Sequence, residues 1–84
     1  MGRAPQDLDV STLRGRIGAS IRKHRIRADI SQPALAKELT RRGSPATRQR
    51  VSQWEHAVRL PAIEELYVLA AILGTSVGEL LPKK

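Results

Sequence analysis

Between Thr47 and Glu55 the chain reads Thr-Arg-Gln-Arg-Val-Ser-Gln-Trp-Glu, and only Val51 and Trp54 in it are apolar. Three residues apart, they share one side of a helix that turns about 100° per residue, and no other side can be buried. That anchoring fixes what the helix shows to solvent. Arg48, Gln49, Ser52 and Gln53 fall on roughly the opposite arc, and Arg50 lies beside the Trp54 edge. Thr47 is placed to cap the helix, because its hydroxyl can accept from a backbone N–H two or three residues on. Glutamine donates and accepts at once, which matches the N7 and N6 edge of adenine, and arginine can fork onto guanine O6 and N7. A polar arc also serves solubility on any surface helix, so the neighbouring segments must separate a base-reading helix from an ordinary amphipathic one.

Upstream, Leu13, Ile17, Ile21 and Ala28 recur at helical spacing, which predicts helix 1 from Ser11 or Thr12 to about Arg27. Arg16, Arg22, Lys23 and Arg27 form its solvated face. His24 falls on the inner side, a hydrogen-bonded residue rather than a metal ligand, since no second ligand lies at metal-binding spacing. Ser31 caps helix 2, Pro33 sits in a first turn that tolerates it, and Leu35, Ala36 and Leu39 form its buried stripe. The small Ala36 lets a second helix approach closely. Gly43 ends that helix, and Ser44-Pro45 keeps the chain extended before Thr47. Downstream, His56 to Leu60 reads as a loop and Pro61 opens helix 4, whose Ile63, Leu66, Tyr67, Leu69, Ala70 and Leu73 face inward. Val68 and Ile72 widen that stripe beyond one face. Gly74 ends helix 4, and Ser76 to Glu79 has capping-box spacing for a short helix 5 through Leu81, before Pro82 and two lysines. Met1 to Val10 shows no periodicity and reads as a flexible arm, residues 1–10, ahead of one domain at 11–82.

The 84 residues allow one small domain, and the absence of cysteine removes disulfides, thiolate nucleophiles and cysteine zinc sites. Fifteen Lys and Arg, eleven of them Arg, against eight Asp and Glu give a net charge of +7, which favours a polyanionic partner. No apolar run approaches the roughly 20 residues that span a bilayer, and nothing resembles a secretory signal, so a cytoplasmic protein with no membrane contact is expected. No cofactor or metal is implied. With no acid, base and nucleophile set, an enzyme is disfavoured. A membrane-surface helix is disfavoured too, because the basic residues spread over several capped helices.

In this order the motifs resemble a known family. Ile30 to Leu39 with its S-Q-x-x-L-A pattern, Val51 to Glu55, Pro61 to Gly74 and Ser76 to Leu81 are similar to the phage Cro and lambda-repressor-like helix-turn-helix transcriptional regulators, over roughly residues 13 to 81. The resemblance implies an all-α, five-helix lambda-repressor-like DNA-binding domain. It implies base contacts from Arg48, Gln49 and Gln53, with Ser52 on the same arc. Gln32 would touch a phosphate and brace the recognition helix, Arg50 would make a phosphate or flank contact, and His56 and Arg59 would approach the backbone. Glu55 would pair with Arg25 in helix 1.

Four features depart from the family pattern. The Leu39 to Thr47 segment is about five residues longer than the usual turn, so helix 2 is extended or the turn bulges, which would let Arg41 and Arg42 reach phosphates unless they are simply solvated. Ala57 replaces a glycine; a left-handed alanine would be strained, so another corner shape is expected there. Asp29 replaces a glycine more mildly, and Ala62 replaces a capping serine.

These readings converge on a sequence-specific regulator of double-stranded DNA, a repressor, with helix 47–56 in the major groove. A homodimer on an inverted repeat is expected, through Val68, Ile72, Val77, Leu80 and Leu81 unless those complete the monomer core. The alternative is an antitoxin or other protein-interaction module retaining the same fold.

Overall fold

The computed structural model describes residues 11–82, and among them five helices and no strand occur. They are α1 (Leu13–Arg27), α2 (Gln32–Arg41), α3 (Arg48–Glu55), α4 (Ile63–Leu73) and α5 (Val77–Leu80). The expected arm at residues 1–10 lies outside the described residues. Four helices begin on a hydroxyl cap. Thr12, Ser31, Thr47 and Ser76 accept from the backbone N–H of Gly15, Ala34, Arg50 and Glu79 at 3.0, 3.2, 3.1 and 3.1 Å, each satisfying a donor the helix cannot. Ala62 has no acceptor to offer α4. There the Glu65 carboxylate reaches back to the Ala62 N–H at 2.7 Å, and Pro61 stands before the cap rather than in the first turn.

The four longer helices all end the same way. A left-handed residue follows the last turn, Asp29 (φ 59°), Gly43 (φ 90°), Ala57 (φ 60°) and Gly74 (φ 70°). The next residue's N–H then returns to a carbonyl five back, as in Ser44 to Leu39 and Thr75 to Ala70, both 2.9 Å. Two of these stops are glycines, where the geometry costs little. Ala57 keeps the left-handed turn instead of adopting another shape, because Val58 N–H bonds Gln53 O at 2.9 Å and Arg14 of α1 donates to the Ala57 carbonyl at 2.9 Å. The long connection between α2 and α3 combines both anticipated solutions. Helix α2 runs two residues past Leu39, and residues 42–47 turn at Gly43, held where the Ala46 N–H meets the Thr40 hydroxyl at 3.2 Å.

The core gathers Ile17 and Ile21 of α1, Leu35, Ala36 and Leu39 of α2, Val51 and Trp54 of α3, and Leu66, Leu69, Ala70 and Leu73 of α4, closed by Leu80. Several inward expectations are corrected. Leu13, Ile63 and Tyr67 are 54%, 61% and 65% exposed, and Ala28 lies on the surface beyond α1. Burial of α4 falls on its Leu66, Leu69, Ala70 and Leu73 side, because α2 and α5 pack there. Leu80 is fully buried and so is not open to a second copy, while Val68, Ile72, Val77 and Leu81 are half-buried against the core. Helix α3 packs on both α1 and α2. Its C-terminal end comes so close to α1 that a Cβ at Gly18 would stand 2.8 Å from the Trp54 carbonyl oxygen and 2.9 Å from that of Glu55.

Gly18→Ala should therefore lower stability by about 1–3 kcal/mol, since the obstructing atoms are backbone, even though alanine favours a helix by about 1 kcal/mol over glycine. Ala57→Gly should raise it by about 0.5–1 kcal/mol, because the relieved left-handed strain exceeds the added unfolded-state entropy. Urea unfolding of the two variants measures both signs, and a neutral Gly18→Ala would contradict the close approach.

Candidate nucleic-acid interface

Helix α3 is clamped on its inner side by groups from two other helices. Val51 and Trp54 are wholly buried, and Glu55 is 1% exposed. Its carboxylate accepts from Arg25 Nε at 2.5 Å and Nη2 at 3.1 Å, and from Gln32 Nε2 at 3.0 Å. Arg25 also donates from Nη1 to the Ile30 carbonyl at 2.9 Å, which ties the α1–α2 corner to the same cluster. A buried carboxylate is tolerable only with such compensation. The forked geometry from Arg25 fixes angle as well as distance.

The opposite arc is the one read from the sequence. Arg48 and Gln49 are exposed, and Ser52 and Gln53 are half-buried. Among the described residues, the side chains of Arg48, Gln49, Gln53 and the exposed Arg59 have no hydrogen-bond or ion-pair partner. Gln49, Gln53 and Arg59 line an open concavity of ≈580 Å³ with Thr40, Pro45 and Arg50, so the α2–α3 connection forms one wall beside the helix. His56 packs back on the helix, its Nδ1–H donating to the Ser52 carbonyl at 2.9 Å, which leaves Nε2 unengaged.

The other cations expected to meet phosphate already have acidic neighbours. Arg41 bonds both oxygens of Glu38, and Arg42 Nε lies 2.8 Å from Glu38 Oε2. These hydrogen bonds, Arg41 first and Arg42 second, hold the half-buried Glu38 carboxyl down to about 2 from an ordinary 4.5, and the same pairing pushes Arg41 up. Two guanidiniums share one carboxylate there, so a single net positive charge remains. Arg50 Nε is 2.9 Å from Glu65 Oε2, and its Cζ lies 5.9 Å from the centre of the Trp54 ring. Gln32 spends one amide hydrogen on Glu55. It braces α3 as the resemblance implied.

Three residues that position this surface were missed from the sequence. Arg14 holds the Ala57 and Val58 carbonyls at 2.9 and 3.3 Å, Gly18 permits the α1–α3 approach, and Glu65 links Arg50 to the start of α4. A glycine inside a helix costs about 1 kcal/mol against alanine, and that oddity alone could have marked Gly18.

A short capped helix, crossed by a preceding one and turned polar side outward, defines a helix-turn-helix DNA-binding domain. Residues 21–80 match the helix-turn-helix family of Cro/C1 type, and the chain belongs to that family. The match is to the family at large and does not single out phage repressors. No curated protein and no solved structure matches the chain. The family comprises DNA-binding transcription regulators and is generally non-enzymatic. Among the described residues no helix is long and apolar enough to cross a membrane.

Arg25→Ala would leave the Glu55 carboxylate buried without its main partner and should cost about 3–5 kcal/mol. Arg25→Lys should recover only part, since one ammonium cannot match the fork. Chemical denaturation checks the order, and an Arg25→Lys domain as stable as the native one would refute the role of the fork.

Proposed function

We propose that this protein is a sequence-specific regulator of double-stranded DNA that lays α3 in the major groove and acts as a repressor. The observation that carries the reading is the pairing of opposites on α3. Its buried side is locked by Trp54, Val51 and the Arg25–Glu55–Gln32 cluster, while Arg48, Gln49 and Gln53 stand outward with no internal partner. Side chains without internal bonds lose none when they meet base edges. In this reading Gln49 and Gln53 pair with adenine edges, Arg48 with guanine, and Ser52 with whichever base it faces. Gln32, Arg41, Arg42, His56 and Arg59 flank them toward phosphate, which positions the helix without reading sequence, while Arg50 takes the flank of the reading arc. Repression needs no further surface, because occupying the duplex is enough to exclude other proteins.

A twofold dimer would set two copies of α3 about 34 Å apart on an inverted repeat. With Leu80 buried, the apolar surface open to a second copy is the half-exposed Val68, Ile72, Val77 and Leu81, together with Ile63 and Tyr67.

Selection from a random duplex pool with the full chain should recover an inverted repeat. On that duplex Gln49→Ala or Gln53→Ala should cost about 1–3 kcal/mol and relax preference at one or two base pairs, whereas Arg59→Ala should weaken all duplexes alike. Uniform weakening by the glutamine variants would remove them as readers. Failure to recover any preferred sequence would favour a protein-interaction module that keeps the fold.

A further inference from the structure

We propose that Arg50 is a specificity-determining residue that reads one guanine, and that Glu65 is the positioning residue that aims it; the proposal rests on the DNA-binding reading above. Arg50 is held in three ways. Its backbone belongs to α3, its Nε–H is taken by Glu65 Oε2 at 2.9 Å, and its guanidinium lies over the Trp54 ring with Cζ 5.9 Å from the ring centre. Glu65 is held as firmly. It is 8% exposed, and its other oxygen accepts the Ala62 N–H at 2.7 Å, so the carboxylate cannot swing to follow the arginine. What remains is the outer edge of the guanidinium, Nη1 and Nη2, which has no partner among the described residues. Arg50 lines the same concavity as Gln49 and Gln53.

Two parallel N–H donors match O6 and N7 of guanine, and they reject adenine, which offers an amino group where guanine offers O6. A long side chain ordered on folding surrenders its rotamer freedom before the duplex arrives, and that preorganisation favours a directional contact. The neighbouring carboxylate works against the alternative. A guanidinium already compensated at 2.9 Å contributes little net charge to phosphate neutralisation, which depends on charge far more than on angle. Arg59 shares the concavity and has no acidic neighbour, so it provides the contrast.

The test uses the full chain, the duplex recovered from a random pool, and its single base-pair substitutions, measured at several salt concentrations. Arg50→Lys keeps the charge and loses the fork; it should lower preference at one guanine by about tenfold with other positions and the salt slope unchanged. Glu65→Gln keeps an oxygen for the Ala62 N–H and frees Arg50 as a full cation, so it should weaken that same preference while tightening binding to random duplex. A purely structural role for Glu65 would not produce opposite signs. Should Glu65→Gln fail to fold, Arg50→Lys decides alone. The proposal is overturned if Arg50→Lys leaves every guanine preference intact. It is equally overturned if Arg50→Gln weakens all duplexes alike and flattens the salt slope by about 0.9, the mark of a phosphate anchor. A native chain that recovers no preferred sequence would sink the DNA-binding reading itself, whereas a recovered sequence with no guanine answering to Arg50 would sink only this inference.

Discussion

Glu55 stands at the C-terminal end of α3, where the helix carbonyls already concentrate negative charge and a carboxylate is unwelcome. It is nonetheless buried, and the bonds from Arg25 and Gln32 are what make that burial tolerable. Because the donors come from α1 and α2, the compensation that the carboxylate requires also joins three helices at one point. Gly18 lets α1 lie against the Trp54 and Glu55 carbonyls, which brings the Arg25 side chain within reach. The direction in which Gln49 and Gln53 face is thus set from behind. Nothing on the outward arc has to hold the helix in place, so those side chains are free for another partner.

The positive charge of the chain is sorted by the same logic. Arg25 and Arg50 each face a carboxylate on another helix, and Arg41 and Arg42 share the Glu38 carboxylate on the surface at the end of α2. Arg48 and Arg59 stand near α3 without such a neighbour. The paired charges already cancel within the net charge of +7, and Arg48 and Arg59 bring uncompensated charge to the side of α3 where the amides also lie. In the proposed complex, long-range attraction and short-range recognition would then act at one surface.

The parts of the fold legible in the sequence are those set by local chemistry. Hydroxyl caps at Ser31, Thr47 and Ser76 and the stops at Gly43 and Gly74 depend on bonds within a few residues, and they stand where the sequence places them. Val51 and Trp54 could be assigned because they leave α3 a single possible inner side. Helix α4 offers no such uniqueness. Its apolar residues encircle it, and only the positions of α2 and α5 decide that Leu66 is buried and Ile63 and Tyr67 are not. Leu80 of α5 takes the second of its two expected places, completing the core rather than meeting a second copy. At Ala57 the sequence argues for another corner shape, yet the local bond from the Val58 N–H and the contact from Arg14, distant in sequence, hold the left-handed turn. The Arg50–Glu65 pair spans two helices and leaves no periodic trace.

In the proposed complex α3 meets the duplex with its amide side and keeps its tryptophan side against the core. Nuclear magnetic resonance of the full chain titrated with its selected duplex tests this most directly, through the side-chain NH₂ signals of Gln49 and Gln53 and the indole N–H of Trp54. The glutamine signals should shift strongly while the indole, buried in both states, stays nearly fixed. Unmoved glutamines, with the large shifts on the outer face of α4 around Tyr67, would contradict it.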